Sequence, residues 1–260
     1  MTAETLDLQA ADAGAEHLHD RIDGIIRDAI DNQPRSLQRR IGPSEIGEPC
    51  DRWILHKLAG HEEPPRAQVS WKPFIGTAVH AQMEEIFGRA NRSFDEWVTE
   101  HKVTVGYLPD GTPLTGHSDL FHVPTATVID WKIVGDRQLQ NYRANGPSQR
   151  YRVQAHLYGG GFTMDPEPWG PTKRVAIYFL PRDREFEKGY FWSEPWNPTI
   201  WADAMNRLNR LWREFERVGM PAAAEPLPLC DNRFCHWCRD IERDAGASAR
   251  KNLFDEFPTF

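Results

Sequence analysis

The centre of the chain carries three successive strand-like segments, and this pattern constrains the fold more than any other feature. Residues 97–108, 112–123 and 126–134 are rich in β-branched and aromatic side chains, which favour extended backbone. An Asp-Gly pair at 110–111 and a Pro-Thr pair at 124–125 separate these segments as turn signals. The pattern therefore predicts three consecutive β-strands.

Further helical and strand-like segments flank these three strands. Helices are predicted for residues 14–33, 44–60, 74–89, 148–160 and 198–218. Two more strands are predicted for residues 173–182 and 185–193. The order of elements indicates an α/β fold of the mixed α+β kind, in which helices flank a central mixed β-sheet.

Capping and breaking residues mark the ends of several predicted helices. Ser44 and Ser148 are predicted N-caps, because a serine hydroxyl accepts a hydrogen bond from an early backbone amide. Gly60 and the glycines that start at Gly159 are expected to end their helices. Pro49 is expected to delay or kink the start of the second helix.

The composition is that of a globular chain with a substantial core. The chain has 260 residues, of which 40% are hydrophobic, and this length suits one large domain or two small ones. No apolar run is long enough to span a bilayer, and the first 30 residues lack the basic start and apolar core of a signal peptide. We therefore expect a cytoplasmic protein with no membrane partner.

The net charge of −7 argues against a protein that binds nucleic acid as a bulk polycation. A local basic path is compatible with that charge, because binding depends on where the charges lie. Residues 136–152 carry Arg137, Arg143, Arg150 and Arg152 against one acidic residue. These arginines form either a basic path or a solvated helix face.

Two charged residues interrupt the apolar strand TVIDWKIV. Because strand side chains alternate, Asp130 and Lys132 point to one face and Trp131 points to the other. A buried strand rarely carries charges that lack a partner or a function. The pair is therefore a candidate catalytic feature, and an ordinary surface salt bridge is the alternative.

Asp119 is placed to share a metal site with Asp130. If the two residues lie on antiparallel strands, the hairpin centre falls between Pro124 and Thr125, where a turn is independently predicted. Opposed residues have Cβ atoms roughly 5 Å apart, and two carboxylates that close repel each other unless a cation lies between them. Mg²⁺ and Mn²⁺ prefer such oxygen ligands. Lys132 would then orient the attacking water and stabilise charge on a phosphate.

Four cysteines are a further notable feature of the sequence. Cys230, Cys235 and Cys238 have the spacing C-x4-C-x2-C, and Cys50 lies far upstream. A disulfide framework is not expected in a cytosolic chain, and the segment CDNRFCHWC is too polar for a core. A metal bound by all four thiolates would join the N-terminal helices to the C-terminal segment and couple metal binding to folding.

Four ordered motifs resemble the RecB-type branch of the PD-(D/E)xK nucleases. They are Gly76 to His80, Gly116 to Asp119, Asp130 to Lys132, and Gln154 to Tyr158. The matched region covers about residues 44–160. The order of all four motifs is far more specific than any one of them.

This resemblance implies a restriction-endonuclease-like core with an assigned active site. It implies that a divalent metal, Mg²⁺ or Mn²⁺, is bound by His80, Asp119, Asp130 and the carbonyl of Ile133. It also implies that Lys132 is catalytic. Gln154 and Tyr158 are then expected to border the active site, where they contact DNA or orient the catalytic groups.

The cysteines resemble those of iron–sulfur members of this branch, which include CRISPR-adaptation, AddB and phage exonucleases. The segment from Pro43 to Arg52 is similar to the Ser…Cys-x-Arg opening of these proteins. By this resemblance one [4Fe–4S] cluster is ligated by Cys50, Cys230, Cys235 and Cys238, and zinc is the alternative. The C-x4-C-x2-C order departs from the C-x2-C-x5-C spacing of many members.

The resemblance implies a metal-dependent DNA exonuclease that acts on single-stranded DNA ends. The alternative is a DNA-end binding subunit of a recombination or CRISPR-adaptation complex, with little catalysis of its own. The expected organisation is an N-terminal helical extension (1–40), a nuclease core (41–218), a cluster segment (219–240) and a C-terminal tail (241–260).

Overall fold

The structure is a computed structural model that describes residues 18–32, 40–61, 71–91, 96–166, 168–232 and 235–239. These residues fall into two compact units, of which the first contains residues 18–32 and 71–78 and the second contains the others. Within the described ranges, no helix is both long enough and apolar enough to cross a membrane.

The first unit contains helix α1, over residues 18–31. This helix confirms the described part of the predicted helix 14–33, whose residues 14–17 and 33 lie outside the described ranges. Of its predicted apolar face, Ile30 is buried and the rest is exposed. The exposed residues are Leu18, Ile22, Ile25 and Ile26.

The remaining elements follow in chain order. They are α2 (Pro43–Ile46), α3 (Asp51–Leu58), α4 (Trp71–Ala90), β1 (Trp97–Tyr107), β2 (Pro113–His122), β3 (Thr127–Val134), α5 (Asp136–Asn145), α6 (Gln149–Met164), β4 (Arg174–Pro181), a 3₁₀ turn (Phe186–Lys188), β5 (Tyr190–Pro195) and α7 (Pro198–Val218). A short helix, α8, covers residues 236–239. The three predicted central strands and the predicted helix 198–218 are confirmed.

A five-stranded mixed sheet forms the centre of the second unit. Its strand order is β1-β2-β3-β4-β5. Neighbouring strands are antiparallel except β3 and β4, which are parallel. A parallel pair needs a long crossover connection, which α5 and α6 supply. This architecture confirms the predicted α/β fold, a mixed sheet flanked by helices.

The two faces of the sheet bury different side chains. On one face, α6 packs on the sheet and α7 packs on α6, and the main core lies there. On the other face, a smaller cluster around Leu120, Ile129 and Trp131 packs against Met83 and Phe87 of α4. Trp131 therefore points away from the face that carries Asp130, as strand alternation predicts.

The predicted helix 44–60 is wrong as a single element, because it is divided into α2 and α3. The N-cap of α2 is Gly42, with Pro43 as the first helical residue, so Ser44 lies inside the helix. The break falls at Gly47 to Cys50. Pro49 has no backbone N–H, and it disfavours helical backbone at the residue before it.

The prediction that glycines end the helix at Gly159 is also wrong. Ser148 caps α6 as predicted, but the helix continues to Met164. A Cβ atom at Gly159 would overlap Trp196, and one at Gly160 would overlap Trp201. These glycines therefore allow close packing inside a helix, and tertiary contacts outweigh their poor helix propensity.

The segment around β5 differs from its prediction. Residues 186–188 form a 3₁₀ turn that ends at Gly189, and β5 covers Tyr190–Pro195. The predicted strand 185–193 therefore began too early and ended too soon. Residues 136–145 form α5, with Leu139 and Tyr142 buried. The sequence pattern indicated only a basic path or a solvated helix face for this segment.

Three of the four arginines of the candidate basic path are engaged within the protein. Arg143 donates hydrogen bonds to the carbonyls of Lys188 and Gly189. Arg150 donates to the Ser44 carbonyl at 2.7 Å. Arg152 forms two hydrogen bonds with the Glu194 carboxylate, at 2.6 and 3.0 Å. These arginines tie elements of the fold together and do not form a free basic row.

Candidate metal and catalytic site

Five of the predicted site residues converge from four elements of the second unit. His80 comes from α4, Asp119 from β2, Asp130 and Lys132 from β3, and Gln154 from α6. His80 Nδ1 lies 3.2 Å from Asp119 Oδ1, and Gln154 Nε2 donates to Asp130 Oδ1 at 2.9 Å. Lys132 Nζ forms an ion pair with Asp130 Oδ2. The sheet and two helices therefore assemble one compact polar cluster.

The predicted register that opposes Asp119 and Asp130 is confirmed. Leu120 pairs with Ile129, and the next position along each strand is Asp119 on β2 and Asp130 on β3. Asp119 Oδ2 accepts a hydrogen bond from the Trp131 backbone N–H at 2.7 Å. A side chain therefore satisfies a backbone amide two residues beyond the last ladder pair, and this contact joins the two strands at the site.

Half-buried His80 and buried Asp119 form a mutually stabilising pair. Burial raises the pKa of Asp119, but the hydrogen bond and charge of His80, together with Lys132 and the Trp131 amide, bring that pKa below its ordinary value. Burial lowers the pKa of His80, whereas Asp119 outweighs this effect and leaves the pKa raised. The pair therefore favours a charged carboxylate at Asp119.

Asp130 is the most deeply buried carboxyl of the cluster, with 2% of its surface exposed. Burial raises its pKa to about 6, although Lys132 lowers it. Lys132 Nζ also lies 4.9 Å from the centre of the Tyr151 ring. Lys132 is mostly buried too, so the pair is not the ordinary surface salt bridge that was the alternative.

Glu100 joins the cluster, although the sequence reasoning missed it. Its neighbours on β1 pair with the neighbours of Asp119, Thr99 with Leu120 and His101 with Ser118. Ligand atoms of His80, Glu100 and Asp119 all lie within 4.8 Å of one another. Burial, followed by the charge of Asp119, raises the pKa of Glu100 to about 7.

A signal for Glu100 was present in the sequence. The midpoint of residues 100 and 119 falls between positions 109 and 110, next to the Asp-Gly turn that separates the first two predicted strands. The hairpin argument that opposed Asp119 to Asp130 therefore also opposes Asp119 to Glu100. The strand periodicity of the segment WVTEHKVTVGY alone did not mark this glutamate as part of a site.

Tyr158 and Ile133 lie beside the cluster in different ways. Tyr158 is buried on α6, and a Cβ atom at Gly116 would lie 2.8 Å from its hydroxyl oxygen. The glycine of the Gly-His-Ser-Asp motif therefore permits this tyrosine to approach β2. Ile133 lies next to Lys132 and opposite Leu180 of β4, and its side chain packs in the smaller core cluster. The role of its carbonyl as a metal ligand stays a prediction.

The four cysteines converge as predicted, although Cys50 is 180 positions away from Cys230. All four Sγ atoms lie within 4.8 Å of one another. Cys50 Sγ lies 3.6 Å from Cys238 Sγ and 3.7 Å from Cys235 Sγ. Burial raises the pKa of the Cys50 thiol, and it raises that of Cys235 to about 12. Four buried or half-buried thiols with this spacing form a ligand set for a metal centre.

Two further contacts attach helix α3 to the C-terminal segment. Arg52 donates two hydrogen bonds to the Leu227 carbonyl, at 2.9 and 2.7 Å, and one to the Glu225 carbonyl, at 3.1 Å. The His56 ring stacks on the Trp237 ring, with centroids 3.8 Å apart and an interplanar angle of 3°. The cysteine group therefore belongs to a larger contact between both parts of the chain.

The chain matches no protein-family model and no curated protein. Among solved structures it is similar to the alkaline exonuclease LHK-Exo from Laribacter hongkongensis, with 11% identity and a TM-score of 0.47, over 68% of this chain and 88% of that one. The same enzyme in complex with dAMP gives 12% identity and a TM-score of 0.46 over the same shares. The crystal structure of SSO0001 gives 14% identity and a TM-score of 0.46, over 72% of this chain and 87% of that one. The functional assignment therefore rests on the geometry of the chain's own side chains.

Proposed function

We propose that this protein is a metal-dependent DNA exonuclease that acts on single-stranded DNA ends. The observation that carries the proposal is the convergence of His80, Asp119, Asp130, Lys132 and Gln154 from four separate elements. Asp119 and Asp130 supply carboxylate oxygens, which suit Mg²⁺ or Mn²⁺, and His80 adds an imidazole nitrogen. A buried lysine beside two carboxylates is the further element that phosphodiester hydrolysis needs.

Each residue of the cluster has a distinct role in the proposed reaction. His80, Asp119, Asp130 and the Ile133 carbonyl hold the divalent cation. Gln154 fixes one oxygen of Asp130, and the Trp131 amide fixes one oxygen of Asp119, so both carboxylates are oriented before the cation binds. Tyr158 borders the site from the next turn of α6.

The proposed reaction is hydrolysis of a phosphodiester. When bound, the cation supplies Lewis-acid chemistry, since it neutralises phosphate oxygens and makes water more acidic. Lys132 orients the attacking water and stabilises the charge that develops on the phosphate. The water oxygen bonds to phosphorus, the bond from phosphorus to the 3′ oxygen breaks, and the products are a 5′-phosphate and a 3′-hydroxyl.

We propose that the four cysteines hold a [4Fe–4S] cluster with a structural role, as the family resemblance implies. The spacing of the Sγ atoms favours a second candidate, Zn²⁺. Four thiolates at 2.3 Å from a single tetrahedral ion lie about 3.8 Å apart, close to the 3.6 and 3.7 Å found here. The visible absorption and metal content of protein purified without oxygen distinguish the two. A brown protein containing iron supports the cluster, and a colourless one containing zinc supports the single ion.

The function is tested by DNA degradation with Mg²⁺ or Mn²⁺. Linear single-stranded, linear double-stranded and closed circular single-stranded DNA are compared as substrates. We expect linear single strands to be degraded and circles to survive, because an exonuclease needs an end. Asp130→Asn and Lys132→Ala should each lose at least about 100-fold in rate, the usual loss for removal of such a group.

Two residues outside the cluster provide matched controls for charge removal. Asp136 is half-buried and pairs with Arg184, and Lys173 is exposed. Asp136→Asn and Lys173→Ala remove the same charges and should retain wild-type rates. Undiminished cleavage by Asp130→Asn or Lys132→Ala would contradict the site assignment. Tight binding of DNA ends without turnover under either cation would instead favour an end-binding subunit.

A further inference from the structure

We infer that Glu100 is an additional ligand of the divalent cation, together with His80 and Asp119. The inference rests on the proposed function, because it assigns one more residue to the same metal site. None of the four sequence motifs contains Glu100.

The first argument is the position of Glu100 in the sheet. The ladder between β1 and β2 places it opposite Asp119, and the ladder between β2 and β3 places Asp130 on the other side of Asp119. Three carboxyl groups therefore stand in a row across three neighbouring strands. Among the described residues, His80, Glu100 and Asp119 form a group whose ligand atoms all lie within 4.8 Å of one another. A cation bound by His80 would therefore find the oxygens of Glu100 within reach.

The second argument concerns the oxygens that the other two carboxylates have available. Asp119 Oδ2 is occupied by the Trp131 amide, whereas Asp119 Oδ1 faces His80 at 3.2 Å. Asp130 Oδ1 accepts the Gln154 amide, and its Oδ2 is the ion-pair partner of Lys132. The Asp119 oxygen that the Trp131 amide does not use therefore faces the imidazole with which Glu100 is grouped.

The third argument is the lack of compensation for buried negative charge. The Glu100 carboxylate accepts no hydrogen bond from any residue of the described ranges, although it is half-buried. Its charged neighbours are His80 and three carboxylates, those of Asp119, Glu84 and Asp130. Carboxylates that close favour a bound cation, which neutralises their mutual repulsion.

The backbone of Glu100 supports the same conclusion. Its φ is +45°, in the left-handed region that residues other than glycine and asparagine rarely adopt. Regular pairs of the β1–β2 ladder lie immediately before and after it. A glutamate in this conformation is unfavourable for the strand alone, and strain of this kind is concentrated at functional sites.

The test measures Mn²⁺ binding by the full chain without DNA, so that cleavage is not the readout. Electron paramagnetic resonance reports free Mn²⁺, and calorimetry reports affinity and stoichiometry. Glu100→Gln removes the charge at nearly constant size, and we expect a loss of about tenfold or more in affinity, typical for groups of a metal site. Glu96→Gln is the control, because this carboxylate lies on the same segment but contacts His122.

A second variant guards against misfolding. Glu100→Asn suits the left-handed backbone, so it should melt at or above the wild-type temperature and still bind Mn²⁺ more weakly. Unchanged Mn²⁺ affinity in both folded variants would overturn the inference about Glu100. The proposed function would still stand in that case if the wild type cleaves DNA. Failure of the wild type itself to bind Mn²⁺ would overturn the inference and the metal-dependent function together.

Discussion

Asp119 Oδ2 accepts a hydrogen bond from the backbone N–H of Trp131 at 2.7 Å. Asp119 lies one residue beyond the last regular pair of β2 and β3, and Trp131 lies two residues beyond it. The other oxygen of Asp119 faces His80 at 3.2 Å. One carboxylate therefore serves the sheet with one oxygen and the candidate metal site with the other. This division allows the structural and functional contributions of Asp119 to be separated by mutation.

Asp119→Asn and Asp119→Ala should both abolish nuclease activity but differ in stability. The asparagine oxygen can still accept the Trp131 amide, whereas alanine leaves a buried N–H without an acceptor at a cost of about 1–3 kcal/mol. Urea denaturation of both variants measures this difference. Equal stability of the two would show that water or a local shift satisfies the amide, and that Asp119 has no structural role.

Lys132→Met should make stability depend on pH above neutrality. In the wild type the pKa of Asp130 is raised from 3.8 to about 6. Between these two pH values the folded state retains a proton that the unfolded state has lost. The free energy of unfolding therefore falls as the pH rises from 3.8 to about 6. Lys132 lowers that pKa, and without it the fall should extend above pH 6. The loss at pH 8 should reach about 3 kcal/mol, as for a broken buried pair.

The measurement is urea denaturation of Lys132→Met at pH 6 and pH 8, with the double variant Asp130→Asn/Lys132→Met as the control. The double variant has no buried carboxyl at position 130 and should lose the added pH dependence. A decline that persists in the double variant would assign the effect to another group, such as Glu100, whose pKa is raised to about 7.

The site was predictable from the sequence because hairpin register is a local property. The turn at 124–125 defines which residues of β2 and β3 face each other, and it correctly opposed Asp119 to Asp130. Alternation along β3 then separated Asp130 and Lys132 from Trp131. The same hairpin-midpoint arithmetic would have placed Glu100 opposite Asp119. The left-handed backbone of Glu100, however, follows from no local sequence signal.

The error at the glycines of α6 concerns a feature that depends on distant residues. Glycines at 159–161 are poor helix formers, yet they lie within α6 because Trp196, Trp201 and Val103 occupy the space beside them. These partners lie up to about 60 positions away, so no local pattern indicates the contact. The grouping of Cys50 with the C-terminal cysteines was predicted from the family resemblance, because Cys50 lies 180 positions upstream of Cys230 and outside the local C-x4-C-x2-C spacing.

Gly160→Ala should destabilise the fold, whereas Gly88→Ala should stabilise it. A Cβ atom at Gly160 would overlap the Trp201 ring, and a cost of about 1–3 kcal/mol is typical of an overpacked core. Gly88 lies inside α4 with nothing within 4 Å of an added Cβ, so alanine should add up to about 1 kcal/mol through its better helix propensity. Thermal melting of both variants tests whether side-chain packing or helix propensity determines the change in stability at each glycine.

Cys50→Ser should release the C-terminal segment from α3 and destabilise the second unit. A metal held by all four cysteines closes a chain segment of about 180 residues, and its binding free energy is then part of folding. Loss of one ligand should remove the metal and lower the melting temperature by at least about 4 °C, which for a domain of this size corresponds to a loss of 1–2 kcal/mol. Limited proteolysis should also cleave the chain more readily after residue 218.

Arg52→Met gives a matched comparison, because it removes the hydrogen bonds to Leu227 and Glu225 and leaves the cysteines in place. It should weaken the same contact while the metal content stays at the wild-type level. A strong chelator added to the wild type should give the melting curve of Cys50→Ser. The same chelator should leave the melting curve of Cys50→Ser unchanged. If Cys50→Ser retains full metal and wild-type protection from protease, Cys50 is not a ligand, and the three C-terminal cysteines bind the metal without it.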